Sequence, residues 1–204
     1  MNAIDCRIAG LALVLFAAPL VQGATLTPLD TFGGGDGWRA PFEVLPGDSA
    51  AAIVNDPAEG DRYQYLGNAL TNTSVNAGNL ERGFAYNPAT GNLILVSRQG
   101  PNGGSIRILN GTSGVDVGEL PKDPAIVTGG NFANNMVGVA DDGAIYVGNL
   151  STNTSSSPFK IYRWANETAA ATVAYTGLGP TAPLDGARLG DSLDVFGSGA
   201  NTRL

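Results

Sequence analysis

Two stretches of this chain share one pattern, and that recurrence limits the fold more than any single motif. The first is Glu81–Arg98: a short strand with Phe84 and Tyr86 alternating, a turn at Asn87–Gly91, then the apolar run Leu93–Val96. Alternation, a Pro-x-x-Gly turn and a β-rich run are hairpin signals. The second, weaker copy is Asn135–Val147, with Val137 and Val139 in the places of Phe84 and Tyr86. Gly143 stands where Gly91 stood, and Ile145 and Val147 replace Leu93 and Leu95. Both glycines are expected to take positive φ in tight turns. A pattern returning after about fifty residues argues for a repeat architecture.

The rhyme continues past the hairpins. A Gly- or Ser-rich loop comes next in both copies, 99–104 and 149–158. A third strand succeeds it, Ser105–Leu109 matching Lys160–Trp164, and then a fourth, Val115–Leu120 matching Ala171–Tyr175. Four antiparallel strands per unit is the form of a β-propeller blade. The expected fold is therefore all-β, a β-propeller-like array of four-stranded antiparallel blades comprising about two blades and the start of a third. The units run 81–133, 134–188 and 189–204, the last opening with Leu193 and Val195 in the Phe84 and Tyr86 positions. Because the chain ends at Leu204 inside that unit, the array is expected to continue in a longer protein. The alternative is a β-sandwich whose hairpins only look repetitive.

Ahead of the repeats, residues 1–23 read as a signal peptide. Arg7 precedes an apolar run over 8–21, and Val21-Gln22-Gly23 offers small residues for cleavage before Ala24. The run is short and close to the terminus for a membrane span, so the protein is expected to be exported, to the periplasm, the cell surface or the medium, with an uncleaved anchor as the alternative. Residues 24–80 form a lead-in: a strand at Thr25–Phe32, a glycine-rich turn at 33–37 with Trp38 packed beneath it, irregular chain through Pro41–Asp61, and a strand at Arg62–Leu66. The glycine turn lacks the Lys-Ser/Thr of a phosphate loop.

These phrases resemble a family of exported bacterial proteins of unknown function, propeller-like chains that often end in a PEP-CTERM-type sorting anchor. The resemblance lies in Glu81–Asn87, Asn135–Val147, Ser157–Trp164 and Gly190–Val195, and covers residues 25–204. It implies a propeller-like fold and export, and it carries no activity or catalytic residues. This chain ends before any such anchor.

Composition removes most catalytic chemistry. Histidine is absent and Cys6, the single cysteine, lies in the signal segment. A mature chain therefore has no thiol, no Ser-His-Asp triad and no His- or Cys-based metal site. A net charge of −7 argues against capture of nucleic acid. No cofactor is predicted; calcium on loop carbonyls and scattered aspartates is the remaining option. Asp141 and Asp142 read as turn residues, since adjacent carboxylates on a strand turn face different ways. Trp164 reads as packing between blades, with a sugar-stacking platform as the alternative.

In a blade the first strand lies nearest the central channel. Two positions before Phe84, Val137 and Leu193 stand Arg82, Asn135 and Asp191, three polar residues at equivalent rim positions. Rigid blades holding such a ring make binding sites; the plainer reading is that the three only knit neighbouring blades together. The expected role is a non-catalytic binding or scaffold module for an extracellular ligand or surface polymer, touching the membrane only through its signal or a missing C-terminal anchor. The alternative is an extracellular carbohydrate or small-molecule hydrolase or lyase that works through carboxylates.

Overall fold

The computed structural model describes residues 31–57, 60–66, 80–100, 103–178 and 186–204. The expected signal segment, most of the expected leading strand and the loop at 67–79 lie outside the described residues. Among those described, no α-helix occurs, and the regular structure is strand with three one-turn 3-10 helices. The strands β1 (Ile53–Val54) and β2 (Arg62–Tyr63) pair as a small antiparallel ladder. Four strands come after them: β3 (Glu81–Tyr86), β4 (Asn92–Ser97), β5 (Ser105–Asn110) and β6 (Asp116–Glu119). A second set comprises β7 (Phe132–Val139), β8 (Ile145–Leu150), β9 (Phe159–Trp164) and β10 (Thr172–Gly177). Each set is one antiparallel sheet whose strands lie side by side in chain order.

The first hairpins of the two sheets pair in matching register. Phe84 pairs with Leu95 and Tyr86 with Leu93, as Val137 pairs with Val147 and Val139 with Ile145. Gly91 and Gly143 hold φ of 77° and 85°, a region that side chains with a Cβ disfavour.

The sheets stack head to tail. Ile94, Val96, Ile106 and Ile108 of the first sheet pack against Val137, Ile145, Val147, Tyr162 and Trp164 of the second in one core. The strand period of two explains the composition: alternate residues of each strand supply this core, and their neighbours point the opposite way. Each aliphatic side chain fully removed from water there contributes about 1.5–3 kcal/mol. On the outer face of the first sheet, Leu93, Leu95 and Leu109 are covered by Ala52, Tyr63 and Tyr65 from the lead-in. On the outer face of the second, Tyr146 and Ile161 are covered by Leu193 and Val195. Thus each sheet turns one face to the segment before it in the chain and the other to the segment after it.

Several expectations are corrected. Trp38 is 71% exposed, because what fits against the glycine turn is its backbone carbonyl: a Cβ on Gly33 would collide with that oxygen. The ring instead swings out, and its indole N–H donates to Asp36. Phe32 belongs to a one-turn 3-10 helix, and the expected strand at Arg62–Leu66 is regular only over Arg62–Tyr63. The stretch 190–197 forms no strand; Leu193 and Val195 nonetheless reach the packing position their alignment implied. Trp164 is fully buried and its indole N–H donates to the Pro121 carbonyl at 2.7 Å, so its ring is no stacking platform.

Candidate functional site

The site is built where both sheets break register. In β3, Glu81 pairs with Ser97 and Gly83 with Val96, leaving Arg82 as the extra residue of a bulge. In β7, Phe132 pairs with Leu150 and Met136 with Gly148, so Ala133, Asn134 and Asn135 face a single residue of β8. Bulges re-aim side chains and stop pairing, and they favour sheet ends beside binding sites. Arg82 and Asn135 thus leave the ladders at the same end of the two sheets.

The three aligned residues meet there. Arg82 Nη2 lies 3.6 Å from Asp191 Oδ1. Asn135, fully buried, donates through Nδ2 to the Gly190 carbonyl next to Asp191. Two further arginines complete the group. Arg98, just past β4, donates through Nε and Nη2 to Asn135 Oδ1 at 3.1 and 2.5 Å, and its guanidinium lies 3.7 Å over the Phe132 ring. Arg188 donates to both carboxylate oxygens of Asp191, Nη2 to Oδ1 at 3.0 Å and Nε to Oδ2.

Charge is unbalanced in this cluster. Arg82 and Arg188 both face Asp191, and Arg98 lies beside them on Asn135, in a chain whose 11 Lys and Arg are outnumbered by 18 Asp and Glu. Burial, then the like charges of Arg82 and Arg188, hold the Arg98 guanidinium below its ordinary value. The Arg188 hydrogen bond, then the charges of Arg188 and Arg82, hold the Asp191 carboxyl below its ordinary value. Exposed ion pairs of this kind contribute little to folding, so exchanging Asp191 for another anion costs the fold little.

Hydrogen-bonding capacity is also left over at this end. Arg82 Nε, Gln99 Oε1, Ser105 Oγ and Asn134 Oδ1 are buried and have no hydrogen-bond partner among the described residues. Strand pairing of Ser97 with Ser105, and the bond from Asn134 Nδ2 to the Gly103 carbonyl, place these residues around the same corner. Buried polar groups in native proteins are nearly always satisfied, so these four, sealed beneath the surface at one end, stand out.

Other places offer less chemistry. An apolar cleft of about 680 Å³ lies between β9, β10 and the last segment, lined by Phe159, Ile161, Tyr175, Leu193 and Leu204. Asp142 is a turn residue: its carboxylate accepts the backbone N–H groups of Gly199 and Ala144, which hold it below its ordinary value. No group of three or more Asp, Glu, His or Cys able to hold a metal occurs among the described residues.

Sequence alignment of the copies points to Arg82, Asn135 and Asp191 and passes over Arg98, Arg188, Gln99 and Asn134. Those four lie in loops or within a bulge, where strand periodicity gives no signal. One signal is present: Arg98 flanks the apolar run of β4 opposite Arg82, so a hairpin places both cations at one end.

A family profile described as a domain of unknown function, DUF4623, matches residues 55–200. The chain belongs to that family. It is similar to a crystal structure of a DUF4623 family protein from Bacteroides eggerthii DSM 20697, at 27% identity and a TM-score of 0.45. That likeness covers 56% of this chain and 26% of the other, so the chain spans about a quarter of its structural relative. No curated protein matches the chain.

Proposed function

We propose that this DUF4623 chain is an exported, non-catalytic binding module, its two four-stranded sheets being successive blades of a propeller-like array. The ligand is met at the rim formed by Arg82, Arg98, Asn135, Arg188 and Asp191. One observation carries this reading: Arg82 and Arg188 meet on the Asp191 carboxylate, and Arg98 meets the neighbouring Asn135, where the first strands of both sheets begin. Head-to-tail stacking supports the array, since each sheet presents a different face to its two neighbours, as blades do. Apolar residues exposed on the outer faces, Phe84 and Tyr86 on one and Tyr175 on the other, fit further blades in a longer protein.

The test is a binding screen of the full chain against a glycan panel and divalent cations, with turnover measured alongside. Saturable binding that Arg82→Gln abolishes at unchanged melting temperature supports the module. Turnover of a bound compound would sink the non-catalytic reading. If Arg82→Gln lowers stability and leaves binding intact, the rim only knits the sheets together. N-terminal sequencing of the exported protein tests the signal segment, with Ala24 as the expected first residue.

A further inference from the structure

We infer that the exposed ring of Trp38, with the Asp36 carboxylate at its edge, is a second binding site that takes an organic cation: an ammonium or guanidinium group, as lysine and arginine side chains carry. The site stands on other residues than the rim and does not depend on it. Trp38 is 71% exposed, more than any other large apolar residue described. It is also held in place. Its indole N–H donates to Asp36 Oδ2 at 2.9 Å and its backbone N–H to Asp36 Oδ1 at 3.2 Å, so one carboxylate fixes both the chain and the ring. On either side the chain is tied to the β5–β6 turn. The Gly33 N–H donates to the Ser113 carbonyl at 2.9 Å, and the Arg39 guanidinium donates to the Gly114 carbonyl. Folding has already ordered this side chain, so a ligand meets a preset surface and loses little affinity to ordering it.

What that surface offers selects the ligand. The single polar group of the indole is taken up by Asp36, which leaves the π face to the outside. A carboxylate bonded to the N–H also pushes electron density into the ring and deepens the negative face that attracts cations. Asp36 is itself exposed, and its oxygens keep lone pairs for further donors. Glu43 adds a second negative charge to the same loop: its Oε2 accepts the Ala40 N–H at 3.1 Å, and its Oε1 would lie 3.2 Å from a Cβ on Gly34. Among the described residues, no lysine or arginine stands within ion-pair distance of either carboxylate. Arg39, next in sequence, is turned inward, paired with Asp48 at 3.1 Å and stacked over the Tyr63 ring at 4.0 Å. A negative π face beside unpaired carboxylates repels an anion and gives a neutral sugar only stacking. It gives a cation both stacking and charge. A guanidinium fits twice over, since it lies flat on a ring and donates from its edge.

Trp38 and Trp164 are the two tryptophans of the chain and Trp164 is fully buried, so a ligand at this site reads out through Trp38 fluorescence. The full chain is titrated with acetyl-arginine amide, tetramethylammonium, methyl glucoside and acetate, each against a sodium chloride blank. Both cations are expected to change the emission saturably, and to bind about three- to fivefold more weakly as sodium chloride rises from about 20 to about 200 mM. Methyl glucoside and acetate are expected to leave the emission unchanged. Asp36→Asn keeps an oxygen for the indole N–H and removes the charge. It is expected to weaken acetyl-arginine amide binding about threefold or more, with melting temperature unchanged. Should Asp36→Asn fail to fold, Glu43→Gln serves instead, with an expected loss of about twofold. The order of the two cations tells amino-acid side chains from small quaternary amines, and either order upholds the site. A saturable response to methyl glucoside as strong as to the cations overturns the inference in favour of a sugar platform. No saturable response to either cation overturns it, as does cation binding that neither salt nor the charge-removing variant weakens. Each of these results leaves the rim reading standing.

Discussion

The two sheets share strand order and register, yet they seal the same face by different chemistry. In the second sheet that face carries Val137, Ile145, Val147, Tyr162 and Trp164, all met by aliphatic side chains of the first sheet. In the first sheet the position equivalent to Tyr162 is Arg107, since Arg107 pairs with Leu95 as Tyr162 pairs with Val147. Arg107 is as buried as its counterpart, and it is held by both oxygens of Asp116 at 2.9 and 2.6 Å and by Glu119 at 3.2 Å. Its covering layer is the irregular lead-in, tied down by Asp48. That carboxylate accepts from Arg39, from the Asp116 and Leu45 backbone N–H groups and from the Tyr63 hydroxyl. Where a whole sheet covers the face, apolar interdigitation is sufficient. Where loose chain covers it, directional polar bonds fix what packing alone would leave ambiguous.

That contrast breaks most sharply at the buried pair. Asp116→Ala leaves the buried Arg107 guanidinium with Glu119 as its one remaining carboxylate among the described residues, and the expected loss is about 3–5 kcal/mol by chemical denaturation. Replacing Arg107 and Asp116 together by Leu removes both charges, and the double variant is expected to be much closer to wild type than the single one. A double variant as unstable as Asp116→Ala would mean that the polar network, not the stranded charge, carries the stability.

A second test weighs the two interfaces through glycines. A Cβ on Gly83 would lie 2.6 Å from the Val137 backbone nitrogen and 2.9 Å from the Met136 Cα, so β3 and β7 must separate to admit it. A Cβ on Gly138 would meet the Val195 side chain at 2.4 Å, on a segment with no strand of its own. Gly83→Ala is expected to cost about 1–3 kcal/mol and Gly138→Ala less, because a side chain on irregular backbone yields more readily than a paired strand. Equal costs would show the last segment to be as firmly seated as a sheet.

Alkali sharpens the same comparison. Burial pushes the Tyr162 phenol up to about 12, from an ordinary 10, and burial together with the charge of Asp116 pushes Tyr65 up as well. Above pH 10 the unfolded chain releases these protons while the folded chain keeps them, so stability falls as pH rises from 10 towards 12. Tyr162→Phe removes one of these groups and leaves the Thr128 carbonyl with only the Lys160 ammonium, at a cost of about 0.5–1.5 kcal/mol near neutrality. The variant is expected to lose less stability between pH 10 and 12 than wild type does, read by denaturant midpoints.

Local patterns make the hairpins legible: alternation, turn glycines and apolar runs are encoded within about ten residues, and β3–β4 and β7–β8 pair in the register they imply. The rim is legible through the repeat, because equivalent positions in stacked sheets fall at one end. Arg98 and Arg188 are not, because their contacts join residues distant in sequence through loops, where no period applies. Trp38 misleads for a different reason. A glycine turn needs something packed close against it, and the sequence does not distinguish an indole ring from the carbonyl of the same residue.

The smallest expected effect lies on the outer face of β3. Phe84 and Val137 are equivalent in register, but Phe84 is 57% exposed and Val137 is buried at 4%. Val137→Ala removes two methyl groups from the core between the sheets and is expected to cost about 1–3 kcal/mol. Phe84→Ser touches a side chain already half in water, so the expected change is within about 0.5 kcal/mol. The measurement is equilibrium denaturation of both variants at several protein concentrations. A large, concentration-dependent loss for Phe84→Ser would mean that this face is covered in solution by another copy. A large loss independent of concentration would mean that the lead-in reaches further over β3 than Ala52, Tyr63 and Tyr65 do. Either result would turn the difference between the two faces from one of composition into one of what lies on top of them.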